Sequence, residues 1–303
     1  MISISSGAVI PLFNSSIYLD DLFASLAYQT KKLNQVVLID DCSQDNTVAK
    51  VNFLMDKYKS LSTDFLLLTN KNNLGVSNSV NLGISELSTD LIFFSGHDDI
   101  WRKCRVEISS GYLSSGKNFI HSFYQTFGLN SSCAKPSSSL TDIALGMLNG
   151  NKIGAITVAL HMKNIGKKNI FFNSRFNGAE DYDLWTDLIT SGERPYCIPE
   201  ILMDYRLSDT QISSNFDYKN TSLLRNIQIK YYSNLFPSSI LCYFEIIRNL
   251  SQFSNDQLKL IKIDSSIKPH LQIILNTLEN ENSNSWFSAI YRDLIIRLKL
   301  LVN

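Results

Sequence analysis

Apolar residues in the first hundred positions fall into four short runs. Ser5 to Leu12 carries Ala8, Val9 and Ile10 and ends at Pro11 and Leu12; Val36 to Ile39, Phe65 to Leu68 and Leu91 to Phe94 follow. Runs of this length without alternation read as strands buried on both faces. Between them, three sets recur at helical spacing: Leu19, Leu22, Phe23 and Leu26; Val48, Val51, Leu54, Met55 and Tyr58; Val76, Val80, Ile84 and Leu87. Asn14, Ser15 and Ser16 offer N-caps to the first of these helices. The alternation predicts an α/β fold, a doubly wound, mostly parallel sheet with helices on both faces. Right-handed crossovers then bring Pro11, Asp41, Asn70 and Asp98 to one rim, where ligands of such sheets bind.

Beyond Trp101 the pattern loosens. Arg102 to Gly116 starts as a helix, Asn118 to Phe127 reads as a strand, Asn130 to Ser139 as a polar loop, and Thr141 caps a short helix through Leu148. Ile153 to His161 is β-prone. A dense stretch, Phe176 to Trp185, continues as a helix to Ile189, and Tyr196 to Tyr205 gives a further strand. From Asp217 the pattern is helical throughout, over 223–235, 240–250, 258–263, 271–278 and 286–301. The expected division is therefore 1–215, with halves 1–101 and 102–215, followed by a C-terminal helical region, 216–303.

Composition changes this picture little. Hydrophobic residues make up 44% and charged residues 18%, and the net charge is +0, so no basic field invites nucleic acid. Five dispersed cysteines without a C-x-x-C pair argue against a disulfide framework or a zinc site. The chain shows neither a signal-peptide pattern nor a membrane-span-length apolar run, which predicts a cytoplasmic protein. The last helix carries Trp286, Ile290, Leu294 and Leu298 with Arg292, Arg297 and Lys299 among them. Packing on its own bundle is the favoured reading, and peripheral contact with the inner face of a membrane, or a homodimer, stays open.

The candidate chemistry sits at two places. Gly96-His97-Asp98-Asp99-Ile100-Trp101 follows the fourth strand. Adjacent carboxylates there suit Mg²⁺ or Mn²⁺ shared with substrate phosphates; the competing reading is that Asp98 caps a helix beginning near Ile100. Glu180, Asp181 and Asp183 surround an aromatic pair, Tyr182 and Trp185, where dipole complementation is the competing reading. Neither a G-x-G-x-x-G nor a P-loop pattern occurs, so phosphates would need carboxylates and a cation.

These segments, taken in order, resemble the family-2 glycosyltransferases of GT-A fold. Val9 to Asn14 resembles their first strand, Val37 to Thr47 the second strand and acidic turn, and Asn73 to Ser77 with Asn81 to Gly83 the third-helix signature. Gly96 to Trp101 stands where they carry the D-x-D metal motif, Glu180 to Trp185 where they carry the catalytic base. Tyr205-Arg206 with Gln211 and Ser213 resembles the acceptor-side segment. The resemblance implies a GT-A-type sheet and transfer of a sugar, UDP-linked in the first instance, to a hydroxyl of a polysaccharide or glycoconjugate precursor, the acceptor being a glycan or lipid-linked glycan, with inversion. It implies Asp181 as base, with Glu180 as the alternative, and Asp98 and Asp99 as ligands of Mn²⁺ or Mg²⁺. It also implies a nucleotide-sugar site of Pro11, Asn14, Asp41, Asn73, Gly75, Asn78, His97 and Asp98, and an acceptor side of Trp101, Tyr182, Asp183, Trp185, Tyr205 and Arg206. Two residues depart from the pattern: Gly96 replaces an acid and Ser208 replaces a histidine. A non-catalytic nucleotide-sugar or glycan-binding module on the same fold is the alternative reading. A phosphoryl-accepting regulator would leave Glu180 to Trp185 unexplained.

Overall fold

Four strands alternate with three helices as the apolar pattern predicts: β1 (Ser6–Leu12), α1 (Leu19–Ala27), β2 (Gln35–Asp40), α2 (Thr47–Lys57), β3 (Asp64–Thr69), α3 (Val76–Glu86) and β4 (Leu91–Phe94). The computed structural model describes residues 4–59, 63–208, 221–259, 261, 263, 266–280 and 287–302. Gln211, Ser213 and Trp286, singled out in the sequence, lie outside the described residues.

The chain continues through β5 (Ile100–Trp101), α4 (Arg105–Ser114), β6 (Phe119–Gly128), β7 (Cys133–Ala134), α5 (Leu140–Gly146), β8 (Ala159–His161), α6 (Met162–Ile165), α7 (Glu180–Thr190) and β9 (Pro195–Leu207). Among the described residues these strands form one sheet in the order β3-β2-β1-β4-β8-β6-β9-β5, with β7 on β6. β1 to β4 are mutually parallel, as is the pair β6 and β9; β8, β5 and β7 run antiparallel to their neighbours. The result is a mixed, mostly parallel sheet.

Side-chain alternation decides what each face carries. Ala8, Ile10 and Leu12 of β1 join Val36, Leu38, Leu91 and Phe93 in a core with Leu22 and Phe23 of α1, Val51 and Leu54 of α2, and Val106 and Leu113 of α4. On the other face α3 comes so close that a Cβ on Gly83 would lie 2.5 Å from side-chain atoms of both Val9 and Ile39. Glycine is therefore a packing requirement there.

Several local expectations are corrected. Ile100–Trp101 is a strand paired with Met203 and Asp204 of β9, so Asp98 caps no helix; the helix starts at Arg105. Asn14, Ser15 and Ser16 do not cap α1, whose N-cap is Tyr18 with no side-chain bond; they bind Ser43, Thr47 and Asp45, in the loop after β2 and the first residue of α2, instead. The short helix α5 is capped by Ser139 rather than Thr141. Only Ala159–His161 of the β-prone run extends as a strand, because Ala155–Thr157 closes into a 3₁₀ turn.

The chain divides into two compact units: Met1–Ser138, Ile153–Trp185 and Glu193–Lys219 in one, and Ser139–Lys152, Thr186–Gly192 and Asn220–Asn303 in the other. The second is helical, with α8 (Thr221–Leu235), α9 (Phe244–Leu250), α10 (Asn255–Leu258), α11 (Lys268–Asn280) and α12 (Phe287–Val302). Its interior is aromatic and aliphatic, and the hydroxyls of Tyr231 and Tyr291 donate to the carbonyls of Ala144 (3.1 Å) and Leu235 (2.6 Å). Among the described residues no helix is long and apolar enough to cross a membrane.

Candidate active site

The strand ends of β1 to β4 build the rim. Asp41 follows β2, and its backbone N–H donates to the carbonyl of Leu12 at 2.8 Å, which joins the ends of β1 and β2. Its carboxylate is almost fully buried. Oδ1 accepts from the Asn70 side-chain amide and the Leu74 N–H, and Oδ2 accepts from the Gly75 N–H, all at 2.8 Å. Asn73 Oδ1 accepts the same Gly75 N–H at 3.2 Å, and the Asn78 amide donates to the Leu74 carbonyl at 2.8 Å. Gly75, at φ +82°, makes the turn into α3 that these bonds require. Asp41, Asn73, Gly75 and Asn78 are thus one bonded loop, with Asp41 at its centre. Asn14 and Cys42 both adopt positive φ, 47° and 65°, and Asn14 ties the two loops by accepting from the Gln44 N–H and donating to Ser43 Oγ.

The second group hangs from β4. The His97 ring bonds the Pro11 carbonyl and lies 5.9 Å from the Tyr18 ring; burial lowers its pKa. Gly96 leaves open a space into which both acids turn: a Cβ there would lie 2.7 Å from Asp99 Oδ2 and 3.0 Å from Asp98 Oδ1. Asp99 is 1% exposed. Its Oδ1 accepts the Arg206 N–H at 3.1 Å, while Oδ2 makes no well-formed hydrogen bond among the described residues. Burial and the neighbouring Asp98 charge push the Asp99 carboxyl up to about 8. A buried carboxylate oxygen with no well-formed hydrogen bond, the Gly96 N–H being its backbone neighbour, beside a second carboxylate, is a donor set that fits a hard divalent cation. Among the described residues no group of three or more acidic, His or Cys ligands accompanies it.

Arg206 joins this turn to β9. Its Nε donates to the Asp98 carbonyl at 2.9 Å, and the guanidinium lies over the rings of Phe127 and Tyr18 at 4.5 and 5.1 Å and pairs with Asp21 at 3.3 Å. Tyr205, one residue earlier, meets the Tyr124 ring edge-on at 5.9 Å. Trp101 is buried, its indole N–H donating to Ser95 Oγ at 2.8 Å.

The third group opens α7. Gly178 N–H donates to Glu180 Oε2 at 2.5 Å, and burial raises the Glu180 carboxyl above its usual range. Asp181 is partly exposed and its Oδ1 accepts the Tyr182 N–H at 2.7 Å. Tyr182, Asp183 and Trp185 are buried at 1%, 2% and 0% exposure. Trp185 packs on Phe94, Phe119 and Phe172. Asn177 Oδ1 stands 3.9 Å from the Cβ position of Gly75, and Asn81 exchanges two hydrogen bonds with the Phe172 backbone, at 2.8 and 2.9 Å. The stretch that leads into α7 therefore lies against α3 and the Asp41 loop.

Sequence reasoning passed over Tyr18 and Arg105. Arg105 is sealed inside the fold, its guanidinium 3.8 Å over the Trp101 ring. The signal was an arginine four positions after a tryptophan, hidden among Arg102 and Lys103 in what reads as a solvated helix start.

The description of glycosyl transferase family 2 matches residues 8–174, more than half of the chain. The chain belongs to this family. It is a glycosyltransferase, and the matched stretch contains the rim residues from Pro11 to Asp99 and ends before Glu180. Its curated relatives include UDP-Glc:alpha-D-GlcNAc-diphosphoundecaprenol beta-1,3-glucosyltransferase WfgD of Escherichia coli, 27% identical over 209 residues, which cover 68% of this chain and 79% of WfgD. Among solved structures, S. aureus TarS in complex with UDP-GlcNAc superposes with a TM-score of 0.63 at 15% identity, over 98% of this chain and 90% of that one. The mannosyltransferase PcManGT from Pyrobaculum calidifontis, in complex with GDP-Man and Mn²⁺, gives 0.54 at 11% identity, over 98% and 86%. At such identities the structures show a shared GT-A-type fold.

Proposed function

We propose that this glycosyltransferase moves a sugar from a UDP-sugar to a hydroxyl of a lipid-linked glycan precursor, with inversion and with a divalent cation. The observation that carries the reading is the pair of carboxylate oxygens converging over Gly96, beside the loop that Asp41 organises. UDP and a lipid-linked acceptor are supported by what WfgD is named for, and UDP also by the TarS complex. PcManGT binds Mn²⁺ with its donor, which supports the cation.

Asp98 and Asp99 would hold Mn²⁺ or Mg²⁺, which supplies neutralisation of the charge developing on the departing diphosphate. Pro11, Asn14, His97 and the Asn73–Gly75–Asn78 loop frame the nucleotide. Asp41 acts through that loop, since three protein donors already occupy its carboxylate. Asp181, partly exposed at the start of α7, takes the acceptor proton. Glu180 is the alternative base, with one oxygen already held by Gly178 N–H. Trp101, Tyr182, Asp183 and Trp185 support the acceptor half from within, while Tyr205 and Arg206 reach its surface. One base and one cation suit a single in-line displacement, hence inversion.

Ligand that binds the native state raises its melting temperature by mass action. A UDP-sugar with Mn²⁺, at about a hundredfold its Kd, should stabilise the protein by about 2.7 kcal/mol. The shift should vanish with EDTA and in Asp98→Asn. Equal shifts with and without Mn²⁺ in both proteins would remove the cation from the reading.

A further inference from the structure

Behind Asp98 and Asp99 the fold seals a guanidinium that has no place in the chemistry just described. Arg105 is 1% exposed and opens α4. Its Nη2 donates to the carbonyls of Phe94 (2.9 Å) and Ile156 (2.6 Å), and Nη1 contacts Met203 Sδ. The group lies 3.8 Å over the Trp101 ring and 5.6 Å from that of Phe93. Asp99 is the charge that acts on it. Burying a cation costs several kcal/mol, and an apolar side chain in the same space would avoid that cost.

What the guanidinium touches gives a reason for keeping it. Phe94 is the last residue of β4, Ile156 sits in the 3₁₀ turn before β8, and Met203 lies on β9 where Trp101 of β5 pairs. These segments meet beneath the turn formed by residues 95–99. Asp99 Oδ1 then ties that turn to β9 through the Arg206 N–H at 3.1 Å. A planar fork that reaches two carbonyls and stacks on an indole fixes a geometry that a lysine ammonium cannot copy.

We infer that Arg105 is a positioning residue for sugar transfer: it holds the end of β4 and Asp99 in register with β9, so that Asp98 and Asp99 present their oxygens over Gly96. The inference rests on the cation reading proposed above. Arg105 acts on the ligands through the Phe94 carbonyl at the end of β4, and groups that orient metal ligands typically carry ten- to a hundredfold in affinity.

The test is Mn²⁺ binding in the presence of UDP, read by electron paramagnetic resonance, alongside melting temperature. Arg105→Lys and Arg105→Met should both weaken Mn²⁺ binding by about tenfold or more at temperatures well below their melting points. Val106→Ala, a neighbouring core truncation, should lower the melting temperature and leave Mn²⁺ binding unchanged. If Arg105→Met fails to fold, Arg105→Lys carries the comparison. Wild-type affinity in the Arg105 variants, or an equal loss in Val106→Ala, overturns the inference. A wild-type protein that binds no Mn²⁺ with UDP overturns the cation reading itself, a result distinct from variants that match a binding wild type.

Discussion

A carboxylate at position 96 would have to share the space into which Asp98 Oδ1 and Asp99 Oδ2 already turn, 3.0 and 2.7 Å from the Cβ position. In the arrangement of this chain, an acid at position 96 would therefore displace Asp98 or Asp99 from it. Gly96→Asp, which restores the family's residue type, should weaken Mn²⁺ binding in the presence of UDP by roughly tenfold, about 1.4 kcal/mol. Steric displacement of Asp99 and a third crowded charge both push that way. Calorimetric titration checks it, and tighter binding by Gly96→Asp would mean that the glycine is a loss rather than a cradle. At this scale the sequence reading was half complete. The acids were legible because carboxylates at strand ends stand out against an apolar run. The partners that define their roles were not, because they come from far along the chain: Arg206 is 107 positions from Asp99 and Leu74 is 33 from Asp41.

Among elements, β1, β2 and β4 and their helices were readable because parallel strands buried on both faces leave unbroken apolar runs; β3 shows the same run, though as the edge strand it is only half-buried. The two-residue strand β5 was not, since its strand character comes from pairing with β9 and not from its own sequence. For the same reason Ile153 to His161 was read as β-prone along its length although only its end is extended. The loop between β3 and α3 shows what element packing adds to a motif. Its Asn73 and Gly75 read as ligand contacts; in the fold the Leu74 and Gly75 N–H groups first of all saturate Asp41, and Asn73 Oδ1 shares the Gly75 N–H. Asp41→Asn turns one carboxylate oxygen into an amide that faces backbone donors. Losing one charge-assisted bond and leaving an N–H unpaired should cost about 2 kcal/mol. Differential scanning calorimetry should show a melting temperature lower by roughly 5 °C, with UDP binding weakened in parallel. An unchanged melting temperature would mean that the loop does not depend on the carboxylate.

For the molecule as a whole, the proposed chemistry draws on three separate segments: the rim of β1 to β4, the turn tied to β9 by Arg206, and the start of α7, which follows the stretch that bonds Asn81 of α3 and comes near Gly75. Family membership makes the protein a glycosyltransferase; the division of labour among these segments is our proposal, and its centre is Asp181 as the base. The most direct measurement is UDP release from a UDP-sugar under single-turnover conditions, comparing wild type with Asp181→Asn in the presence of Mn²⁺, with donor affinity measured on the same samples. The account predicts that both proteins bind the donor equally and that release falls by at least about a hundredfold in Asp181→Asn, the lower range of a general base's contribution. Release at the wild-type rate by Asp181→Asn would contradict it.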